Sequence, residues 1–598
     1  MRKGLCLYIV ILSFLPANGI ARDVLWDGSI DENWPDDITQ HEFTISTPAQ
    51  LARLAQLVND SAFSFEGKKI SLVKDINLNH LPWEPIGRIA YSPDAPCDGK
   101  RIPFRGYFDG NNKKIRNLSI EAPYPAAGLF GYIENGARIE NLTLMNGRVN
   151  GDGPATKTGC PDYLQATGAL VGRVDCEAKK DNRKADSVII YNCRNMNVAV
   201  TSACRNAYVA GMVAYIHIVD TAGPGKGNQE KPVVIKNCLN SGFLSGESTD
   251  MSIGGIIGHV NLELPREYDS RDACRYNSLL IESCANYGDM ENTIHACIGG
   301  IVGSVRCGDL SGGNEVHTFV RLSGCYSACV LYASDGRVGG LLGEIRSYRT
   351  LSSLSPVQLI VEGNYVTGHL DIEGEATIGG LIGEVCLDEH DYGEAFGDGS
   401  HFEQTGYPVD CRIRNNLVAL AGMRVPYART FRIAGHVAAA GLEKPLFSEN
   451  YAYIEGSVHT TETAHYKSNG EDWKGTMLSM PLSGWNGERE LVWDFDPADR
   501  FMPKLANVSF EQPDIPNPMY GKESAGMEPV PERPFSCSSS GNGLHIDAAM
   551  PGDLSVYKFS GSLYTKRFIP AGPTTIQMPR DFYIVKFNGF SEKVLINK

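Results

Sequence analysis

A six-residue phrase returns along this chain at a nearly constant interval, and it limits the fold more than any other feature. Its cleanest copies are IGGIIG (Ile253–Gly258), IGGIVG (Ile298–Gly303), VGGLLG (Val338–Gly343) and IGGLIG (Ile378–Gly383). Looser copies begin at Ala126, Thr167, Val209 and Ile433. Their last residues are Gly131, Gly172, Ala214, Gly258, Gly303, Gly343, Gly383 and Ala438, so the spacings are 41, 42, 44, 45, 40, 40 and 55. A period near forty marks a solenoid, a propeller or a repeat array. Regular return and aliphatic flanks separate the phrase from a phosphate-binding loop; paired glycines let the chain bend where neighbouring coils press close. Leu381 and Ile382 are adjacent and cannot both face inward on a regular strand, so a bulge or corner must interrupt the strand there.

A second element follows most of the phrases by about twenty residues, the span of a short coil. It reads IENLTL at Ile139, IYNCRN at Ile190, IKNCLN at Ile235, IESCAN at Ile281, LSGCYS at Leu322, VEGNYV at Val361 and IRNNLV at Ile413. Most half-repeats are 18 to 26 residues, which predicts two similar coils per repeat. Short strands and turns at that spacing suit an all-β, right-handed parallel β-helix better than propeller blades joined by hairpins. About sixteen coils at the strand spacing give a rod of roughly 75 Å. On this reading Cys193, Cys238, Cys284 and Cys325 lie two coils apart, roughly 9–10 Å, beyond the reach of a disulfide or a shared zinc. They are expected to be small buried hydrophobes. Cys160 and Cys176 remain open as a bonded pair. Asn141, Asn192, Asn237 and Asn415 mark a coil corner, and Asn195, Asn240 and Asn286 are expected to satisfy turn backbone.

The flanks divide into further regions. Residues 1–21 read as a secretory signal, with Arg2 and Lys3, an apolar run from Leu5 to Leu15, and Gly19, Ile20 and Ala21 before cleavage. The apolar run is too short to span a bilayer, and no other stretch is long enough. The expected destination is secretion or the cell surface. Residues 22–125 form an N-terminal cap and first coils. Thr47, Pro48 and Gln50 start a capping helix whose stripe Leu51, Leu54, Ala55 and Val58 is expected to cover the open end of the rod. The repeat region is 126–445, its C-terminal end 446–510, a Pro-rich spacer 511–534, and a small antiparallel β-sandwich 535–598.

With these residues in view, the chain resembles the GLUG-repeat family of bacterial surface and secreted proteins, whose motif is a glycine, two aliphatics and a glycine. The WDG segment at Trp26, WEPIG at Trp83, FRGYFDGNNKKIRNLSI at Phe104 and VWDFDPADRFMPKL at Val492 resemble members from gut Bacteroidales. The resemblance covers residues 22–510 and implies an adhesin-like β-helix without transferable catalytic residues. Tyr583–Lys586 and Lys593–Lys598 are similar to the strand and basic tail of the type IX (Por) secretion-system sorting domain; Met578–Asp581 replace its glycine turn.

A formal charge of −15 provides no basic field for nucleic acid or anionic membranes, so a glycan or an extracellular protein is the expected partner. HExxH, GxSxG and phosphate-loop motifs are absent. The densest acidic run, Asp388, Glu389, His390 and Asp391, could offer Ca²⁺ ligands or a carboxylate pair, against the alternative of a solvated loop. No other cofactor is implied. Five insertions between the phrase and the second element should leave one corner and form a wall carrying Tyr268, Arg271, Tyr348, Arg349, Tyr392, Phe396, His401 and Tyr407, with aromatics beside arginines suited to binding. Three functions stay open: an adhesin-like binder, a polysaccharide lyase or glycoside hydrolase, and a structural spacer.

Overall fold

The computed structural model describes residues 24–92, 95–121, 124–151, 165–176, 187–219, 232–262, 275–308, 316–348, 357–386, 411–424 and 429–438, shorter stretches from there to 514, and 535–596 apart from some of its turns. One coil shows the plan. It comprises segment a (Val233–Lys236), b (Leu239–Asn240), c (Leu244–Gly246), d (Met251–Gly254) and e (Ile257–Leu262). Each segment pairs in parallel with its counterpart one coil on: Ile235 with Ile281, Asn240 with Asn286, Leu244 with Met290, Ile253 with Ile298, and Ile257 with Val302.

These pairings correct the expected repeat. Ile190, Ile235, Ile281, Leu322 and Val361 are successive partners, at steps of 45, 46, 41 and 39 residues, so one repeat makes one turn. The two recurring elements look alike because each sets an aliphatic strand against a tight corner. They stack separately, however: the second element belongs to a 30-stranded sheet, and the strand leaving the glycine phrase belongs to an eight-stranded one. The ladder of segment a runs through eleven strands, from Glu42–Ile45 to Phe447–Ser448, giving a stack of roughly 50 Å rather than 75 Å.

Corners explain the polar positions. Asn141, Asn192, Asn237 and Asn415 have φ between 51° and 56°, and Ser283, Gly324 and Gly363 take the same left-handed turn in the other coils. Asparagine and glycine tolerate that region best. Asn195, Asn240 and Asn286 stack through side-chain amides, Nδ2 to Oδ1, at 2.8 Å per step. Two of them also accept the amides of Gly242 and Gly288 at 3.0 Å, which closes the turn between segments b and c.

The cysteines follow the same register. Tyr191–Lys236 and Arg194–Leu239 both step by 45, so Cys193 and Cys238 between them lie on adjacent coils; Cys284 and Cys325 continue the column. The distance expected from two-coil repeats therefore does not apply. All four are thiols with no exposed surface, packed in the main core, and Cys176 is a buried thiol as well. In later coils the same place holds Asn364, Asn416 and Asn450, joined Nδ2 to Oδ1 at 2.9 Å.

Helix α1 spans Pro48–Ser61, with Gln50 N–H donating to Thr47 Oγ1 and Ser46 N–H donating to Gln50 Oε1. Its stripe of Leu51, Leu54, Ala55 and Val58 joins the rod's core. Asn59 near its end binds the carbonyl of Pro85 and the amide of Gly87, beside Ile86, which bridges to Phe130 on the first strand of the eight-stranded sheet. The helix thus lies at the start of the stack. At the other extreme, residues 493–494 and 501–512 do not simply extend the rod. Trp493, Met502, Leu505 and Phe510 lie against Tyr326, Tyr365 and Leu417 on the outer face of segment b, and Tyr287 Oη donates to the Glu511 carbonyl. From 535 onward two antiparallel sheets, of three and four strands, enclose a separate core that includes Leu544, Val556, Tyr583 and Val585.

A side chain at Gly255 would drive its Cβ into the Gly300 carbonyl and the Asn286 amide. Gly255→Val should cost about 3 kcal/mol or more, whereas Asn237→Gly, which keeps the left-handed corner, should stay within about 1 kcal/mol. Equilibrium urea unfolding checks both. Equal midpoints for the valine variant and the parent would contradict the packed corner.

Candidate functional site

The glycine phrase creates a notch. Segment d ends at Gly254 and segment e starts at Ile257, with the corner inside the phrase. Both aliphatics at this corner point inward; Leu381 and Ile382 are each fully buried. The corner brings the outer faces of segments d and e together: a Cβ on Gly258 would lie 2.6 Å from the Ala214 carbonyl and 2.9 Å from that of Val209 in the preceding coil.

The residue after the phrase's final small residue therefore lines the notch, coil after coil. Register stacks Tyr132, Arg173, Tyr215, His259, Ser304, Glu344, Glu384 and His436 in one column on segment e. It also shows that the last phrase reads TFRIAG, ending at Gly435 rather than Ala438, because Ile382 pairs with Ala434. Facing them from segment d are Tyr208, Ser252, Cys297 and Arg337. Each contacts the column one coil further on. The rings of Tyr208 and His259 stack at 4.5 Å, Ser252 Oγ meets Ser304 Oγ at 2.7 Å, Cys297 Sγ donates to Glu344 Oε2 at 2.8 Å, and Arg337 binds Glu384.

Three parts of this seam carry reactive groups. Near its start, Asp175 receives Arg173 at 2.7 and 3.2 Å and the Tyr132 hydroxyl at 2.8 Å, with Arg101 at 3.4 Å. Burial alone would raise the Asp175 carboxyl, but Arg173, His217 and Arg101 outweigh it and hold it down to about 2. In the middle, His259 Nδ1 lies 2.5 Å from Ser304 Oγ, the pairing of a base and a nucleophile. Only 2% of His259 and 1% of Ser304 is exposed, and among the described residues no carboxylate pairs with His259 to orient it, so a substrate carbonyl has no approach. Burial holds this imidazole well below its usual pKa, in the neutral form.

Further along, Glu344 and Glu384 stack on adjacent coils. Burial works to raise Glu384; a hydrogen bond from His436 and the charges of Arg337 and Arg346 overcome it, bringing the carboxyl to about 2. Glycoside chemistry needs one carboxylic acid kept protonated near neutral pH, and these arginines do the reverse. The seam is built for internal pairing. Reading the sequence for clustered motifs does not reveal it, since its members are forty residues apart; the signal is the position following each phrase, where Tyr, Arg, His, Ser and Glu replace aliphatics.

Tyr268, Arg271, Arg349, Tyr392, Phe396, His401, Tyr407 and the run Asp388, Glu389, His390 and Asp391 lie outside the described residues. Tyr348 ends the strand Leu342–Tyr348, but its side chain is likewise outside them. What the structure supplies is the roots of the insertions. They follow the strands ending at Ile218, Leu262, Gly308, Tyr348 and Cys386, which are consecutive parallel strands of the eight-stranded sheet. They return at Val233, Arg275, Val316, Val357 and Cys411, the starts of consecutive segment a strands. All five depart from one edge of the stack.

No family model matches the chain, and no curated protein matches it. A solved structure described as a "putative immunoglobulin A1 protease" from Bacteroides ovatus is 16% identical, with a TM-score of 0.34, over 61% of this chain and 91% of that one.

The depressed carboxyls predict an acid-labile rod. Asp175 and Glu384 sit lower folded than unfolded, so their stabilisation is full above the ordinary carboxylate range and is lost as pH falls toward 2. Thermal melts followed by circular dichroism from pH 6 to pH 2 should show falling midpoints. Glu384→Gln should lower the midpoint at pH 6 and reduce the fall; an unchanged slope would show that Glu384 is not the group being titrated.

Proposed function

We propose that this chain is an exported, adhesin-like binding protein: a right-handed parallel β-helix that carries recognition loops along one flank and takes a glycan or an extracellular protein as its ligand. The observation that carries the proposal is the shared edge from which five long insertions leave the rod. Insertions gathered on one face of a repeat array form a binding surface in many such proteins. The composition of these insertions, with Tyr268, Arg271, Tyr348, Arg349, Tyr392, Phe396, His401 and Tyr407, suits stacking on sugar rings or anchoring in a protein groove. Ca²⁺ held by Asp388, Glu389 and Asp391 is a subsidiary part of the proposal.

The N-terminal signal, the GLUG-like phrases and the sorting-domain-like C-terminus belong to the same reading, which places the protein outside the cell or on its surface. Among the described residues no helix is long and apolar enough to cross a membrane. A lyase or hydrolase on the same rod is the second reading, and the stacked Glu344 and Glu384 are the observation in its favour. Their arginine partners weigh against it.

A glycan array probed with the full chain, run beside a reducing-sugar assay on the same glycans, separates the two. Binding without sugar release is the expected result. Replacing residues 388–407 by a short Gly-Ser segment, or changing Tyr348 and Arg349 to alanine, should weaken binding at least tenfold while the melting temperature holds. Release of sugar that disappears in Glu384→Gln would favour the enzyme.

A further inference from the structure

The cysteine column has the Cα spacing that a covalent staple needs. Cys193, Cys238, Cys284 and Cys325 occupy one position in four consecutive coils, between Leu142 below and Asn364 above. The amides of Leu239, Ala285 and Tyr326 donate to the carbonyls of Cys193, Cys238 and Cys284 at 2.8–3.0 Å, so the coils are in direct ladder contact at this position. Neighbouring Cα atoms are therefore separated by roughly one strand spacing, about 4.8 Å, inside the range of about 4.4–6.8 Å that disulfides use. As thiols, the four make long contacts, at 3.4–3.8 Å, to carbonyls of their own coil and the one before, so little is lost when the hydrogens go.

We propose that this column is oxidised pairwise, Cys193 to Cys238 and Cys284 to Cys325, each bond tying one coil to the next. Four cysteines in a line can be fully paired only this way. A central Cys238–Cys284 bond would leave Cys193 and Cys325 three coils apart, roughly 14 Å, with no partner. The oxidant is an external disulfide, either of a small thiol or of a thiol oxidoreductase. One cysteine thiolate attacks it and releases the first external thiol; its neighbour attacks the mixed disulfide and releases the second. Two electrons pass to the external disulfide, and the two protons end on the released thiols. Because the finished stack leaves the four sulfurs no exposed surface, exchange takes place as the coils assemble. The bonds would close loops of 45 and 41 residues, by subtraction of the paired positions, which restrains the unfolded chain.

The test is peptide mapping of the full chain, synthesised cell-free with glutathione disulfide or with dithiothreitol, denatured in iodoacetamide without further reductant, digested and weighed. Cross-linked peptides joining 193 to 238 and 284 to 325 are expected in the first sample, with four alkylated cysteines in the second. The oxidised sample should melt several degrees higher. Cys193→Ser should remove the first bond and leave one cross-link through Cys284, to Cys325 or to Cys238, with the remaining cysteine of the column alkylated, because adjacency alone limits the partner. Alkylation of all four in the oxidised sample, a central bond in the parent chain, or cross-links to cysteines outside the column would overturn the proposal.

Discussion

Everything in the rod depends on how closely its backbone can approach itself at one corner. At the glycine phrase, segments d and e of one coil press against those of its neighbours. The amides of Ile256 and Ile257 both reach the Ile301 carbonyl at 2.9 Å, and the pattern repeats with Ile301 and Val302 on Leu341. A side chain at Gly254, Gly255 or Gly258 would occupy space already held by carbonyls. The phrase thus recurs because backbone fills the corner, and each copy enforces the next by fixing the coil spacing. Aliphatic neighbours such as Ile256 and Ile257 then fall into the core together.

This corner is re-entrant, and that has a chemical consequence. Residues on the outer face of segments d and e, which would be solvated on a flat sheet, are enclosed by each other. Buried polar groups must be paired or they cost several kcal/mol. From Tyr208 onward the chain meets this with a diagonal zipper between neighbouring coils, aromatic where Tyr208 meets His259 and ionic where Arg337 meets Glu384. Stacked residues elsewhere obey the same logic: amides bridge amides along Asn195, Asn240 and Asn286, while on the outside of segment a opposite charges pair, with Lys236 on Glu282 at 2.9 Å and Arg414 on Glu362 at 3.1 Å.

Much of this was legible in the residues. The solenoid, the capping helix with Thr47 and Gln50, the asparagine corners, the interruption between Leu381 and Ile382, and the C-terminal sandwich all follow from local chemistry that acts within a few residues. The coil count did not, because similarity between the element at Ile235 and the phrase at Ile253 reflects a shared strand-and-corner grammar, while pairing partners are decided by which ladder each can enter. The cysteines lie one coil apart rather than two for that reason alone. The seam was hidden because it is assembled across coils from single residues. Strand alternation also breaks on segment e, where Ile257 and Val260 both face the core, so His259 does not stand out as an interior position.

The faces of the rod are not equally available. The notch between segments d and e is closed by its own ion pairs and stacked rings. Segment b is covered on its outer side by residues 493–494 and 501–512, with Trp493 edge-on to Tyr365 at 5.7 Å and Phe510 stacked on Tyr326 at 5.9 Å. Segment a carries interlocked charges whose exchange for a ligand would first require breaking them. Each of these surfaces is committed to holding coils together, and variation there would be felt along the stack. The edge between segments e and a is different: strands end there in register, the chain leaves and returns, and the length between departure and return ranges from 7 residues after Gly308 to 24 after Cys386, counted between the flanking strands. A scaffold that tolerates such variation at one edge, while the notch, segment b and segment a are held by pairing, leaves that edge free to vary without disturbing the stack; that freedom is the physical basis of the proposal that the loop flank binds.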